Sequence, residues 1–520
     1  MKLNFKSLFS KELSADPIEG SARRQVSDAS FSWVKTRVPS AAKLVHASKE
    51  TAALVGLNEE DLRSDEFLEV FSGKKQAEGS VPYAMCYGGH QFGSWAGQLG
   101  DGRAINLGEV EHQNKSWALQ LKGAGETPYS RSADGLAVLR SSIREHLCSE
   151  AMHALGVPTT RSLSLILTGD EVLRDVMYNG NAAYEPGAVV CRVAPSFVRF
   201  GNFQILAARK NIKELERLVQ HTVKHFYPEC QHEDIAISTA RLFKAVCDKT
   251  SEMIVEWQRV GFVHGVMNTD NMSILGETID YGPYGWLDDY DHNWTPNTTD
   301  SGQRRYRFGN QAYIANWNLL QLANALYPLT NDPEPFESVL KSFRGDHHSA
   351  YLNMMRTKLG LSLRKDEDED LILDLERCLQ LSPCDMSIFF RELSHIDWTK
   401  QELLQQVSKA FYVPSSLVGD TLLDWEDWFR DYEARWQEEA ESSAVRQEGM
   451  RKVNPKYVLR NYMAQLAIEA AEAGNFELIN ELHELLKQPY DEQMEHEKWY
   501  AQRPDWAKNK VGSSMLSCSS

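Results

Sequence analysis

The stretch HGVMNTDNMSILGETIDYGPYG, residues 264–285, constrains the fold more than any other part of the chain. It places an Asp-Asn pair, Asp270 and Asn271, before a short apolar run, and a second carboxylate, Asp280, nine residues after the Asn. The run MSILGETI is apolar enough for a short β-hairpin, which would bring Asn271 and Asp280 side by side. Hard oxygen ligands at two points suit Mg²⁺, and Mn²⁺ could replace it. The spacing therefore predicts a divalent-metal site.

Each half of this pattern also has an ordinary structural explanation. Asp-Asn pairs often occupy turns, and an Asp before Tyr-Gly often caps a local backbone group. His264 alone is typical of a structural histidine that hydrogen-bonds to backbone. Asn271 and Asp280 lie nine residues apart and follow a His-Gly pair. This combination favours a metal site over two unrelated turns.

The order of these residues is similar to that of protein kinases, which have H-R-D-x-x-x-x-N followed by D-F-G. On that template Asn271 takes the place of the metal-holding Asn, and Asp280 begins DYG in place of DFG. The position of the kinase catalytic base falls on Val266, so that base is missing. Asp270, immediately before the Asn, is the carboxylate that the segment supplies nearby. Phosphoryl or nucleotidyl transfer is the chemistry that such sites perform, because it depends on positioned cations.

The residues before this segment predict a small α/β region. The strings AINLGEV and WALQLKG predict a β-hairpin, a helix follows over about 137–155, and RSLSLILTG and GAVVCRVAP predict two more strands. Lys122 lies in the second strand and Glu145 in the helix, where a lysine-to-helix ion pair is expected. A solvated strand lysine and a surface glutamate are the ordinary alternatives.

Two further features could contact phosphate. The loop GQLGDGRA could let backbone N–H groups approach phosphate oxygens, with Arg103 adding charge, although such runs are more often simple tight turns. Arg192 and Arg199 flank a Pro-Ser turn in CRVAPSFVRFG and could clamp phosphates through paired N–H donors. Surface salt bridges are the alternative for these two arginines.

The predicted elements give an α+β chain with a protein-kinase-like bilobal fold: a mixed α/β N-lobe, a mainly helical C-lobe, and N- and C-terminal helical extensions. We predict an N-terminal extension packing on the core over 1–80, the N-lobe over 81–203, the C-lobe with the metal site over 204–430, and a helical C-terminal extension with a flexible tail over 431–520. A chain of 520 residues is long enough for this organisation.

Composition limits the partners and the compartment. A formal net charge of −17 opposes sequence-independent binding of nucleic acid. No window approaches the ~18 unbroken apolar residues of a membrane-spanning helix. The eight cysteines show no CxxC spacing, which favours a reducing compartment and makes zinc unexpected. We therefore predict a cytoplasmic monomer without membrane or nucleic-acid partners, with a mitochondrial location as the alternative.

Together these residues make the sequence resemble the SelO protein adenylyltransferase family, also called YdiU, which has a kinase-like fold. The similar strings are long and span nearly the whole chain: YGGHQFG, QLGDGRA, LKGAGETPYSR, CRVAPSFVRFG, HGVMNTDNMSILGETIDYGPYGWLDDYD, NPKYVLRNYMAQLAI and SCSS. The resemblance implies transfer of AMP from ATP to Ser, Thr or Tyr hydroxyls of protein substrates.

The resemblance also implies a role for each motif residue. Asp270 would be the proton acceptor, Asn271 and Asp280 would hold Mg²⁺, with Mn²⁺ possible, and Glu145 would orient the motif lysine. The residues implied to contact ATP are Gly100, Gly102, Arg103, Lys122, Asp134, Gly135, Arg192, Arg199 and Asp280. Spacing alone points to Asn271, Asp280 and Lys122, but it does not distinguish AMP transfer from phosphate transfer.

The family binds its nucleotide in reverse relative to ordinary kinases, which has a consequence for this chain. The γ-phosphate would lie deep, near Lys122, Arg192 and Arg199, while the α-phosphate would face the metal and the acceptor. The missing base at Val266 fits this orientation, because the reacting phosphorus is not where a kinase needs it.

One departure from the family concerns a regulatory disulfide. Some members pair a cysteine in the loop after DYGPFGFLDDY with a cysteine or selenocysteine near the chain end. Here Cys518 is present, but the loop reads DHNWTPNTTD, with Pro296 at the expected partner position. A disulfide of that connectivity is therefore not expected.

Two other functions stay open at this stage. The chain could be a phosphotransferase of the kinase type, or an inactive pseudokinase that binds nucleotide as a scaffold. Retention of both predicted metal ligands argues against the scaffold.

Overall fold

The computed structural model describes residues 1–517 and shows an α+β chain with one large antiparallel sheet. Eight strands form this sheet in the order β1-β3-β6-β7-β10-β9-β2, with β8 paired to β10. The strands are β1 (Phe31–Trp33), β2 (Lys43–Ala47), β3 (Tyr83–Met85), β4 (Gly88–Gln91), β5 (Ser94–Gln98), β6 (Ala104–His112), β7 (Lys115–Lys122), β8 (Ala137–Val138), β9 (Arg161–Arg174), β10 (Ala183–Ala194), β11 (Phe262–Val263) and β12 (Gly285–Trp286).

Helices dominate after β10, as predicted. The helices are α1 (Leu8–Glu12), α2 (Lys49–Leu54), α3 (Glu59–Leu62), α4 (Asp65–Phe71), α5 (Leu139–Ala154), α6 (Phe200–Ala208), α7 (Ile212–Phe226), α8 (Ile235–Val260), α9 (Gln311–Thr330), α10 (Glu334–Lys358), α11 (Asp368–Leu379), α12 (Met386–Leu393), α13 (Leu403–Gln406), α14 (Asp420–Gln437), α15 (Ser443–Val453), α16 (Asn461–Glu472) and α17 (Glu477–Leu486). None of the helices within residues 1–517 is long and apolar enough to cross a bilayer.

The predicted hairpin is present as β6 and β7, and it fixes the direction of Lys122. Lys122 pairs with Val190 of β10, and Gln120 pairs with Arg192. Because side chains alternate along a strand, Gln120 and Lys122 share one face of β7. Arg192, opposite Gln120 in the register, presents its side chain on that same face.

Helix α5 is the helix predicted over 137–155, and it lies in the interior of the chain. It contacts β9 and β10 of the sheet and also α16 and α17 near the end of the chain. Fourteen of its sixteen residues are buried, so its polar side chains must find partners inside the protein. It ends at Ala154, and Leu155 leads to Gly156, which adopts the left-handed conformation with φ +80°.

One predicted element is wrong. The run MSILGETI does not pair with itself as a hairpin: Ser273 pairs with Arg199, and Thr278 pairs with Thr159. A turn between Ser273 and Gly276 joins the two halves. The run is largely buried, so its backbone groups need partners, and the segments that cross it supply them.

Residues 511–517, in the tail predicted to be flexible, make packing contacts with the rest of the protein. Leu516 is buried and pairs with Asn297, and its N–H donates to the carbonyl of Pro296 at 3.3 Å. Burial of Leu516 holds this segment on the loop that contains Pro296. The seven cysteines within residues 1–517 are buried and form no disulfide, while the prediction about Cys518 lies outside the described residues.

A buried ion cluster attaches the segment before α16 to the core. Arg460 donates to both oxygens of Asp385, at 2.7 and 2.8 Å, and to Asp288 at 3.1 Å. Because Arg460→Ala would leave the fully buried Asp385 without a counter-charge, we expect it to lower the free energy of unfolding by about 3–5 kcal/mol. Urea denaturation measures this loss.

The control for Arg460 is Arg430→Ala, which breaks an exposed pair with Asp427 at 2.6 Å. That change should leave the free energy of unfolding nearly unchanged, because water and salt screen an exposed ion pair. Equal losses in the two variants would contradict a stabilising role for the buried cluster.

Candidate active site

Five charged side chains form one continuous chain of ion pairs in the interior. Glu145 accepts from Lys122 Nζ through Oε2 and from Arg192 Nε through Oε1, each at 2.5 Å. Arg192 also binds Asp280 Oδ1 at 2.8 Å, and Arg199 binds Asp280 Oδ2 at 2.5 Å. The ion pair expected between Lys122 and Glu145 is therefore present. Arg192 and Arg199 are buried, so the surface salt bridges considered for them are wrong.

The ion-pair chain holds three cations and two carboxylates, an excess of one positive charge away from bulk water. Burial lowers the pKa of Lys122 to about 8, against the opposing effect of Glu145. Burial also acts to raise the pKa of Asp280, but Arg199 and Arg192 outweigh it and hold that pKa well below its usual range. A buried excess of cations is suited to a polyanion.

The cations keep N–H donors that no protein group uses. Arg192 Nη2 and Arg199 Nε are buried without a hydrogen-bond partner among residues 1–517. Arg103 lies within electrostatic reach of Glu145 and Arg192, and its side chain makes no ion pair with the described part of the chain. Because unpaired buried donors are costly, such a group of them marks a place for an acceptor ligand.

The glycine-rich loop GQLGDGRA is held in place beside this region. Gly100 has φ +88°, and a Cβ on it would lie 2.4 Å from Tyr129 Cγ. A Cβ on Gly102 would lie 2.9 Å from the carbonyl oxygen of Tyr129. Between them, the buried Asp101 accepts from the N–H of Met85 at 2.9 Å. The loop therefore requires glycine at both positions for steric reasons, and its contact with phosphate stays a prediction.

Asp134 and Gly135 lie outside the ion-pair chain. Asp134 accepts two bonds from Arg174, both at 2.8 Å. A Cβ on Gly135 would lie 2.3 Å from the backbone carbon of Gly125, so this loop closes tightly on itself. Arg174 is within electrostatic reach of Arg103, which places the loop at the border of the same region.

The two loops of the predicted metal site are joined by Arg199. Its Nη1 donates to the carbonyl oxygen of Asp270 at 2.8 Å as well as to the carboxylate of Asp280. Asn271 donates through Nδ2 to the carbonyl of Val266 at 2.8 Å, which leaves its Oδ1 as the atom available to a cation. Asp280 has φ +57°, an uncommon conformation for a residue other than glycine, and such strain is often found at functional sites.

Asp270 has the surroundings of a reactive carboxylate. Its Oδ1 is buried and has no hydrogen-bond partner within residues 1–517, while Oδ2 accepts from Gln91 Nε2 at 3.3 Å. Burial raises the pKa of Asp270 to about 6, against the opposing effect of Arg199. Shifted carboxyl pKa values of this kind are concentrated at functional sites.

His264 is a structural histidine that hydrogen-bonds to the backbone, as the sequence predicts. Its Nε2 donates to the carbonyl oxygen of Ile279 at 2.9 Å, and its ring stacks on Trp257 with centroids 5.4 Å apart. These contacts fix the backbone just before Asp280.

Sequence reasoning missed the hairpin formed by β4 and β5, which covers the Asp270 loop. The N–H of His90 donates to Thr269 Oγ1 at 2.7 Å, and Gln91 reaches Asp270 as described. A Cβ on Gly89 would lie 2.5 Å from Asp270 Oδ1. The signal in the sequence is the Gly-Gly pair in YGGHQFG, which allows this close approach.

The regions of this chain that match known proteins include every residue of this site. A family model described as "Protein adenylyltransferase SelO" matches residues 20–487. Relatives named "Protein nucleotidyltransferase YdiU" occur in Flavobacterium johnsoniae, at 59% identity, and in Rhodopirellula baltica and an Azoarcus species, each at 52%. Each alignment covers 100% of this chain and 99% of the relative.

Proposed function

The chain belongs to the SelO family of protein adenylyltransferases, and from that premise we propose that this nucleotidyltransferase moves AMP from ATP to Ser, Thr or Tyr hydroxyls of protein substrates. The observation that supports ATP as the source of AMP is the buried excess of cations beside the loop that carries Asp270 and Asn271. These cations keep N–H groups that have no hydrogen-bond partner in the described residues. A triphosphate supplies the oxygens that these donors lack.

The arginines would exchange partners when the triphosphate binds. Without nucleotide, Arg192 and Arg199 share the carboxylate of Asp280, and each keeps a further N–H group unpaired. Those N–H groups, with Lys122 and Arg103, would bind phosphate oxygens by charge-assisted hydrogen bonds. Glu145 holds Lys122 and Arg192 in fixed positions at 2.5 Å, so the cations are preorganised before ATP arrives.

Nucleotidyl transfer implies a divalent metal, and the residues present fit one. Asn271 Oδ1, which no donor among residues 1–517 uses, and the carboxylate of Asp280 are the oxygen donors that such an ion prefers. We assign Asn271 and Asp280 as the residues that hold it, with Mg²⁺ as the ion and Mn²⁺ as the alternative. Once bound, the ion would neutralise charge on the phosphates.

Asp270 would accept the proton of the attacking hydroxyl. Its Oδ1 is kept from water and is not engaged by another group, while Gln91 holds Oδ2. Arg199, bound to the Asp270 carbonyl, ties the position of this carboxylate to that of the phosphate-binding cations. General-base assistance from a group in this position contributes about 10²–10⁴-fold to such reactions.

We further propose a kinase-like bilobal arrangement for the α+β fold, with the boundaries predicted above. The strand lysine paired to a helix glutamate, and the two acidic loops joined by Arg199, are the features that support it. A cytoplasmic monomer acting on ATP and protein acceptors fits this function. The relatives reported above are bacterial, so the mitochondrial alternative has no support.

Labelled ATP tests the reaction type. The chain is incubated with a divalent metal, candidate protein acceptors, and ATP labelled at either the α- or the γ-phosphate. Transfer of the α-label is expected. Transfer of the γ-label would make the chain a kinase-type phosphotransferase, and transfer of neither label, with ATP binding intact, would make it a nucleotide-binding scaffold.

The hairpin over Asp270 gives a second prediction. In Gly89→Ala the new Cβ must displace the Asp270 carboxylate, so we expect kcat for transfer to fall about 100-fold. Affinity for ATP should change less, because the three atoms nearest to the new Cβ all belong to Asp270 and none to a cation of the site. Steady-state kinetics and equilibrium binding separate the two effects.

The matched control for Gly89 is Gly302→Ala, where the new Cβ meets no atom within 4 Å. It should leave both kcat and ATP affinity unchanged. If Gly89→Ala lost ATP affinity as much as turnover, the hairpin would be part of the nucleotide site rather than a support for Asp270.

A further inference from the structure

Away from the ion-pair chain, three imidazoles meet in the interior: His46 on β2, His146 on α5 and His483 on α17. One ring nitrogen of each lies within 4.8 Å of the others. His46 Nδ1 and His146 Nε2 are 2.7 Å apart. The ring of His483 is centred 4.3 Å from that of His46 and 5.9 Å from that of His146. Three distant parts of the chain thus bring nitrogen donors to one point.

The hydrogen bonding of this cluster is incomplete. His483 is only 3% exposed, yet neither of its ring nitrogens has a hydrogen-bond partner among residues 1–517. The carboxylate of Glu484 lies 3.6 Å from Nδ1, too far for a hydrogen bond. Buried polar groups are nearly always paired, so an imidazole with two unpaired nitrogens that faces two other imidazoles calls for a ligand.

His146 already has the second contact that a metal-bound histidine usually makes. Its Nδ1 lies 2.6 Å from Ser162 Oγ, so with Nδ1–H donated to that hydroxyl, Nε2 keeps its lone pair. Metal binding then requires only that His46 carry its hydrogen on Nε2 and turn the Nδ1 lone pair inward. Burial lowers the pKa of all three histidines, to about 3 for His46, which keeps them in the neutral form that binds metals.

We propose that His46, His146 and His483 bind one divalent late transition metal, with Zn²⁺ as the favoured ion. Three imidazoles are a nitrogen donor set, which selects zinc and its neighbours over Mg²⁺ or Ca²⁺. His46 is only partly buried, and this leaves a path for the ion and a fourth position for water. The site would tie α17 to helix α5 at the residue next to Glu145.

A second cluster of Glu12, His221 and His225 shows why the first is distinctive. Glu12 lies 2.6 Å from His221 Nδ1 and 3.0 Å from His225 Nε2, and Lys224 Nζ lies 2.5 Å from its other oxygen. The carboxylate there already has a cation and full hydrogen bonding.

Cobalt titration of the full-length chain tests the three-histidine site. The protein is first treated with a chelator, and Co²⁺ is added in excess Mg²⁺ to keep it from the oxygen site. We expect one equivalent to give the visible absorption of a nitrogen-ligated, low-coordinate ion and to be displaced by Zn²⁺. His483→Ala should weaken binding by at least about 100-fold, because loss of a ligand costs no less than loss of its supporting contact.

Three variants and a second measurement make the result decisive. His483→Phe keeps a buried ring in place of the imidazole and should also lose Co²⁺ binding while keeping the circular dichroism of the wild type. His153→Ala, an exposed histidine on the same helix, and His225→Ala, from the second cluster, should bind as the wild type does. Zn²⁺ should raise the Tm of the wild type but not of the His483 variants. Unchanged binding in the His483 variants, or its loss in His225→Ala, would overturn the proposal.

Discussion

Asp280→Ala should lower AMP transfer by at least about 1,000-fold, because it removes a proposed metal ligand from the centre of the developing charge. The same change should preserve or strengthen metal-free binding of ATP. Asp280 neutralises Arg192 and Arg199 in the structure, at 2.8 and 2.5 Å, and its loss frees both guanidinium groups for phosphate. Turnover should therefore fall without a loss of nucleotide affinity.

The measurement pairs the rate of α-label transfer with the ATP dissociation constant determined without metal. Asp248→Ala, which removes an exposed carboxylate paired to Lys244, is the control and should change neither quantity. Full transfer activity in Asp280→Ala would exclude this residue as a metal ligand. A large loss of metal-free ATP binding would show that Asp280 organises the arginines rather than competing with phosphate for them.

Asp270→Asn should lower kcat about 10²–10⁴-fold while ATP affinity changes little, because the amide cannot accept the hydroxyl proton. The substitution keeps the size of the side chain and a hydrogen-bond acceptor for Gln91, so the loop that Arg199 holds by its backbone should stay in place. Single-turnover kinetics with saturating ATP measure the effect on the chemical step.

The control for Asp270 is Asp270→Glu, which restores the carboxylate at a displaced position and should recover part of the rate. Equal losses of turnover and nucleotide binding in Asp270→Asn would argue against a proton acceptor. Such a result would make Asp270 a part of the nucleotide or metal site instead.

Local pattern was enough to find the elements that carry Lys122 and Glu145. Alternation along β6 and β7 and the glycine that follows α5 are local signals, each carried by residues close together in the sequence. They predict the strand that holds Lys122 and the helix that holds Glu145. The Asp-Asn pair and the later Asp280 were found in the same way, from spacing along one segment.

Contacts between distant segments could not be found this way. The sequence gives no sign that Arg192 and Arg199 would close on Asp280, because their strand and helix are positioned by the sheet. The pairing of Ser273 with Arg199 replaced the expected hairpin for the same reason. The cover over Asp270 by the β4–β5 hairpin likewise depends on packing across nearly 180 residues of chain.

The three histidines show the same limit. The spacing of the cysteines makes zinc unexpected. The proposed site, however, combines residues 46, 146 and 483, which lie too far apart in the sequence to form a recognisable metal-binding motif. The contacts of segment 511–517 are a further case, since its small polar residues give no sign that Leu516 is buried against the loop that contains Pro296.

The intact mass of a protein acceptor after incubation with ATP and Mg²⁺ tests the central claim most directly. With the wild-type chain the acceptor should gain the mass of one adenylyl group on a hydroxyl side chain, and with Asp280→Ala it should gain nothing. A gain of one phosphoryl group from the wild-type chain would contradict AMP transfer, and an adenylyl gain undiminished in Asp280→Ala would contradict the assignment of the site.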